Sequence, residues 1–306
     1  MKKNFCVLLS FILLFSCSKR NLSEEVKEKI SKNDLTSIQK ILEKNLFTQE
    51  EYNSYAYLLY LKNNSISPVI KLVDHGLPVN TYCKNETLLE KAVLDQNLSE
   101  VKYLLANQAD SLMFDKTNTN TALSLAIQQR GKNSVAIFKE ILDTVSYSKF
   151  THNDDDAIVK PNSVFWYYSQ IIEKNQTDFL SIFLQNSFFL NDIINNKNTL
   201  ILLVNNSNMF CKANEPVLNE KLLKVDNYEY FASALSNLNV QAVYYLMKNK
   251  IPMTESLSVI DSLTNFDEDG KQIQSAISTT DEAIELANMK QILFDYHSEC
   301  LKNEFL

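Results

Sequence analysis

The chain has 306 residues, a net charge of −7 and a pI near 5.2, with 45% hydrophobic and 22% charged residues. Such a composition is globular and excludes a disordered or collagen-like chain, and its acidic balance argues against nucleic acid as a main partner, because phosphate binding needs clustered Lys and Arg. Glycine occurs only at Gly76, Gly131 and Gly270, so the glycine-rich loops that cradle nucleotide phosphates cannot be written with it. The five cysteines, Cys6, Cys17, Cys83, Cys211 and Cys300, include no CxxC pair and make no dense disulfide framework.

The amino terminus reads as an address. Lys2 and Lys3 precede a mostly apolar run, Phe5 to Phe15, of 11 residues. A membrane-spanning helix needs about 20 residues, so the run has the length of a signal-peptide core. Leu14-Phe15-Ser16-Cys17 resembles a bacterial lipoprotein box, with Phe15 departing from the small residue usual at its position. The resemblance implies cleavage before Cys17 (residues 1–16 as signal peptide), acylation of Cys17 as a membrane anchor, and residues 17–27 as a lipidated tether. Several acyl chains on one cysteine anchor stably, at about 0.8 kcal/mol per buried CH₂. Loss of residues 1–16 removes two lysines and no acid, leaving a mature charge of −9. Ser18 carries no inner-membrane-retention aspartate, so the resemblance favours the outer membrane, with the periplasmic or surface side open. An ordinary secretory signal is the alternative.

Beyond this leader, apolar residues recur at helical spacing and alternating Val/Thr runs are scarce, which predicts an all-α body. One template repeats: an apolar residue, a turn-tolerant residue four positions on, an aliphatic at +8 and further apolar residues at +11 and +12. Its copies begin at Ile30, Leu61, Val93, Ile127, Ile172 and Leu235. The +4 residues are Asp34, Ser65, Asn97, Gly131, Gln176 and Asn239. They are expected to take the left-handed turn between two helices, a conformation that Gly, Asn and Asp tolerate best. The +8 positions are 38, 69, 101, 135, 180 and 243. Each copy predicts a helical hairpin with one apolar flank, which must stack on its neighbours.

Finer marks agree. Glu86-Thr87-Leu88-Leu89-Glu90-Lys91-Ala92 and, 34 residues later, Asn120-Thr121-Ala122-Leu123-Ser124-Leu125-Ala126 share one opening, while Leu72 to Asn80 and Leu104 to Asp110 share one closing turn. Together with the period, these resemble the ankyrin repeat, strongly over residues 60–143 and more weakly elsewhere. The resemblance implies an ankyrin-like helical-hairpin solenoid of about seven degenerate repeats in two blocks, residues 28–150 and 163–306, the latter closing on a capping helix. An acidic inserted loop, 151–162, separates them, because the interval from 135 to 180 exceeds a period by about 12. Another helical-hairpin array, such as TPR or HEAT, is the rival, although the Trp/Gly/Tyr marks of TPR are missing.

Little catalytic chemistry can be assembled. His75 lies in a repeat-closing turn, and His297 with Cys300 supplies too few ligands for zinc. His152-Asn153-Asp154-Asp155-Asp156 lacks the spacing of a calcium loop and reads as solvated. Cys83, Cys211 and Cys300 read as buried or reduced thiols, with one disulfide plus one free thiol as the alternative. Trp166, with Phe165, Tyr167 and Tyr168, reads as packing between repeats. The chain is thus expected to be no enzyme, with no cofactor, metal, nucleic-acid or small-molecule ligand. The resemblance implies an unidentified protein partner on the concave face, contacted by Val79, Asn80, Glu86, Phe114, Asp115, Asn118, Asn120, His152, Asp154, Asp155 and Asp156. The mature charge predicts a basic or polar partner patch. A surface-exposed, host-facing adhesin and, more remotely, a metal-dependent enzyme using the acidic loop are the alternatives.

Overall fold

The computed structural model describes residues 22–151, 160–196 and 198–206, together with Val217, Leu218, Ser233, Ala234, Asn237, Asn239 and Ala242. Residues 1–21, with Cys17 and the expected leader, and His152, Asp154, Asp155 and Asp156 of the expected acidic loop lie outside the described residues, as do Cys211, Cys300 and His297. The described chain is helical, with little strand, and divides into two compact units, Met1–Lys149 and Phe150–Leu306. No helix among the described residues is long and apolar enough to cross a membrane.

The first unit is a run of hairpins. Helix α1 covers 22–31, followed by α2 (Leu35–Lys44), α3 (Gln49–Asn63), the short α4 (Ser67–Ile70), α5 (Leu88–Leu94), α6 (Leu98–Ala106), α7 (Ala122–Gln128) and α8 (Ser134–Thr144). Residues 22–27, expected within a tether, are therefore helical; Val26 is buried, and Ser23 accepts a hydrogen bond from the Tyr55 hydroxyl. Within hairpins α3 packs on α4, α5 on α6 and α7 on α8; between hairpins α4 meets α6, α6 meets α8 and α5 meets α7. Val101 and Leu104 of α6 are consequently without solvent exposure. In the second unit, α9 (Val164–Glu173) packs on α10 (Thr177–Leu184), α11 (Ser187–Asn195) and α12 (Thr199–Val204), around Phe150, Tyr167, Phe183 and Phe189.

In four of the copies the turn inside the hairpin differs from expectation by one residue. The left-handed residues are Asn33, Asn64, Gln96 and Asn175, each three positions after the apolar start of its copy. In the first, third and fifth copies the +4 residue, Asp34, Asn97 or Gln176, is instead the N-cap of the following helix, and Asp34 accepts from the Ser37 N–H and Asn97 from the Glu100 N–H; in the second copy the N-cap is Ile66, one residue past Ser65. Turn and cap are separate tasks, and Asp and Asn suit the second as well as the first. The geometry is repeated bond for bond. Asn33 N–H reaches the Ile30 carbonyl and Asp34 N–H that of Lys29; Gln96 and Asn97, and Asn175 and Gln176, do the same. Second helices end alike at Gly76 (φ 100) and Gln108 (φ 65).

The fourth copy is corrected by two residues. Gly131 is not left-handed, and the N-cap of α8 is Asn133. The buried stripe becomes Ile137, Phe138 and Ile141, leaving Val135 41% exposed and Lys139 on the surface, where the unshifted template wanted an apolar residue. In the second copy Leu61 is 55% exposed, and Leu59 is the buried residue of that turn.

A left-handed non-glycine residue costs about 1 kcal/mol. Gly76 could not be replaced cheaply, since a Cβ there would stand 3.1 Å from the Leu42 carbonyl oxygen. Gln108, by contrast, is exposed. We expect Gln108→Gly to raise unfolding stability by about 1 kcal/mol and Gly76→Ala to lower it, as measured by denaturant titration; equal effects at both sites would contradict this account.

Candidate binding surface

The segments joining consecutive hairpins form the candidate site. Leu77 to Thr81 leaves a Gly76 turn, and Thr81 N–H and Oγ1 both donate to the Pro78 carbonyl. The chain then pairs as a minimal antiparallel ladder, β1 (Tyr82–Cys83) with β2 (Glu86–Thr87), turned by Lys84-Asn85 with Lys84 at φ 70. Thr87 closes the ladder and opens α5: its side chain accepts from the Glu90 N–H while Glu90 accepts from the Thr87 N–H, a capping box. Thr121 repeats this at the start of α7 with Ser124, and Ser163 caps α9.

The next finger, Phe114 to Thr121, is bridged at its ends, and Asp115 N–H donates to the Asn120 carbonyl. Asp115, expected to contact a partner, is only 7% exposed. Its carboxylate accepts from Thr117 N–H and Oγ1, Thr119 N–H and Oγ1, and Asn120 Nδ2, at 2.8–3.3 Å. Burial opposes ionisation, but these hydrogen bonds hold its pKa below the ordinary value. Asp115 therefore shapes the finger from within. Asn118 occupies its exposed, left-handed tip (φ 55). Asn120 is half-buried and also accepts from Gln128.

The two fingers are tied to each other. Lys116 N–H donates to the Asn85 carbonyl at 2.9 Å, and the Tyr82 hydroxyl to the Phe114 carbonyl at 2.9 Å. Tyr82 N–H donates to Asn53 of α3, and the Asn80 side chain accepts from the Asp110 N–H, so Asn80 joins repeats as well as lining the surface. Val79 and Phe114 are half-exposed, and Glu86 pairs with Lys91 at 3.4 Å. Of the expected contact residues that are described, the structure gathers Glu86, Phe114, Asn118 and Asn120 on adjacent fingers. Tyr82, Lys84 and Lys116 lie inside the loops expected to make contact, Val79 to Glu86 and Phe114 to Asn120, without being singled out there, while Tyr60 and Lys91 lie outside them. Lys84 and Lys116 are 32 residues apart, one repeat period, a signal visible had polar positions been scanned like apolar ones.

No group of His, Cys, Asp and Glu among the described residues could hold a metal. Cys83 is buried without a disulfide, its thiol directed at the Ala56 carbonyl and its pKa pushed up to about 11 by burial. His75 joins neighbouring hairpins through Glu43, Nδ1 to Oε1, at 2.6 Å. Compared with known proteins, residues 72–126 match the family model described as ankyrin repeats (many copies), a segment spanning α5, α6, both fingers and most of α7. No curated protein and no solved structure matches the chain.

Glu90 sits beneath the fingers without solvent exposure. Its Oε2 accepts from Thr87, while Oε1 has no hydrogen-bond partner among the described residues. Burial drives its pKa from 4.5 up to about 7, with the charges of Asp115 and Glu86 adding to the rise against the Thr87 hydrogen bonds. Below pH 4.5 both folded and unfolded chains carry this proton. Between 4.5 and 7 the unfolded chain ionises first, so stability falls as pH rises and the full penalty stands above 7. Glu90→Gln is thus expected to match the wild type near pH 4.5 and to exceed it by about 3 kcal/mol at pH 8, measured by denaturant unfolding across that range. A stability difference independent of pH would refute the assignment.

Proposed function

We propose that this protein is a lipid-anchored, non-catalytic scaffold that binds a protein partner through the fingers and first helices of an ankyrin-type solenoid. About seven degenerate repeats in two blocks follow from carrying the hairpin period into the rest of the chain. The single observation that carries the reading is the tying of one finger to the next, Lys116 to Asn85 and Tyr82 to Phe114, within the segment that matches ankyrin repeats. Surfaces whose loops are held in advance lose little conformational entropy on binding. The absence of catalysis rests on the character of ankyrin repeats, which serve as contact modules, and on a site whose carboxylates and thiol are engaged in the fold.

Anchoring rests on Leu14-Phe15-Ser16-Cys17 and on the charged, short n-region before it. Acylated Cys17 would then stand five residues from helix α1, a span of at most about 18 Å, which keeps the first hairpin close to the bilayer surface. The outer membrane is the compartment this reading favours.

Two measurements test it together. Cys17→Ala is expected to abolish acyl labelling and to move the protein to the soluble fraction; labelling that persists would overturn the anchor. Crosslinking in native membranes, followed by pull-down with the wild type and with Phe114→Ala/Asn118→Ala, is expected to recover a partner with the former and at least about ten-fold less with the latter. Undiminished recovery would remove the fingers from the interface.

A further inference from the structure

Resting on the fingers as the docking surface, we propose that the strip formed by residues 82–87 and 114–121 takes an acidic peptide segment, although the protein as a whole is acidic. The mature charge of −9 predicts a basic partner only if the carboxylates reach the surface that meets it. On these fingers they do not. Asp115 is turned inward onto five donors of its own loop. Glu90 is buried below the ladder. Glu86 is half-buried and paired with Lys91.

The cations are placed in the opposite way. Lys84 stands at the tip of the first finger and Lys116 on the second, both exposed, and the Lys116 N–H to Asn85 carbonyl bond sets the stretches that carry them side by side. Among the described residues neither has a carboxylate within ion-pair distance. Instead Lys116 Nζ lies 5.3 Å from the centre of the Tyr82 ring. A tyrosine face orients an ammonium group without neutralising it. The half-exposed Tyr82 and Phe114 lie among these charges and offer apolar contact to a chain laid across the tips. Tyr82 N–H ties the strip to Asn53 of α3, and the first turn of that helix carries Glu51, folded back on Thr48, and the exposed Glu50. Charge complementarity therefore selects a segment whose carboxylates meet Lys84 and Lys116, with aromatic or aliphatic residues between them.

The test uses the full chain in detergent and two short fluorescein-labelled peptides of equal length, one of Glu and Tyr, the other of Lys and Tyr, read by anisotropy. The Glu/Tyr peptide is expected to bind, weakening as salt rises above about 0.1 M. Lys84→Glu/Lys116→Glu is expected to weaken it at least ten-fold, while Lys139→Glu on the exposed side of α8 leaves it unchanged. Thermal melts monitor folding of each variant. Absence of Glu/Tyr binding, or binding indifferent to the double reversal, overturns the proposal. Binding of the Lys/Tyr peptide that is lost in Phe114→Ala would overturn the charge assignment and leave the fingers standing as the docking surface. Binding of either peptide that survives both finger variants would remove the docking surface as well.

Discussion

Each two-helix unit in this chain has an apolar flank that it cannot cover alone. Val101 and Leu104 of α6 vanish from solvent because α4 lies on one side and α8 on the other. Apolar burial brings about 25 cal/mol per Å², but it is non-directional and does not say which hairpin should sit where. Register comes from polar ties between equivalent places on neighbouring hairpins: His75 to Glu43, Tyr103 to Asp74, Asp110 to Asn80, Asn133 to Gln96 and, in the second unit, Asn206 to Ile172. Their separations in sequence fall between 29 and 37 residues, which is the repeat period expressed as hydrogen bonds.

Low glycine content has a physical explanation in the same ties. A left-handed turn accepts glycine without strain, and asparagine at modest cost. Asparagine or glutamine adds a side chain that can reach the next hairpin. Asn33 accepts from Asn63, and Gln96, itself left-handed, accepts from Ser134 while its backbone carbonyl accepts from Asn133. Glycine persists at Gly76, where φ is 100° and a Cβ would crowd the Leu42 carbonyl of the preceding hairpin at 3.1 Å. Local strain is thereby exchanged for contacts between hairpins, and turn composition follows from stacking.

This exchange decides what could be read from the sequence. Periodic apolar residues revealed the hairpins, because the buried stripe at Ile38, Val69, Val101 and Leu180 repeats in one dimension. The fourth stripe was displaced by two residues, since Lys132 and Asn133 extend the turn and an apolar Val135 happens to fall where the unshifted template looks. Turn and N-cap were confused because both favour Asp and Asn, and only backbone geometry separates Asn33 from Asp34. The fingers are legible in the repeated openings at Thr87 and Thr121, yet the role of Asp115 is not. Whether a carboxylate faces solvent or its own loop depends on where Thr117 and Thr119 fold, which composition does not encode.

The same distinction governs recognition. Net charge is a property of the whole chain, whereas a partner meets only those groups that the fold leaves outside. Here the two fingers internalise or pair their carboxylates and present their lysines, so the local field opposes the global one. At physiological ionic strength charges interact over about 8 Å, which lets a two-finger strip act independently of acidic residues elsewhere. Tyr82 links both aspects: its hydroxyl fastens the fingers together while its ring supports Lys116. Rigidity and charge at this surface therefore have a common origin in the joining of neighbouring hairpins, and a change that loosens the stacking would blur the proposed docking surface even with every finger residue kept.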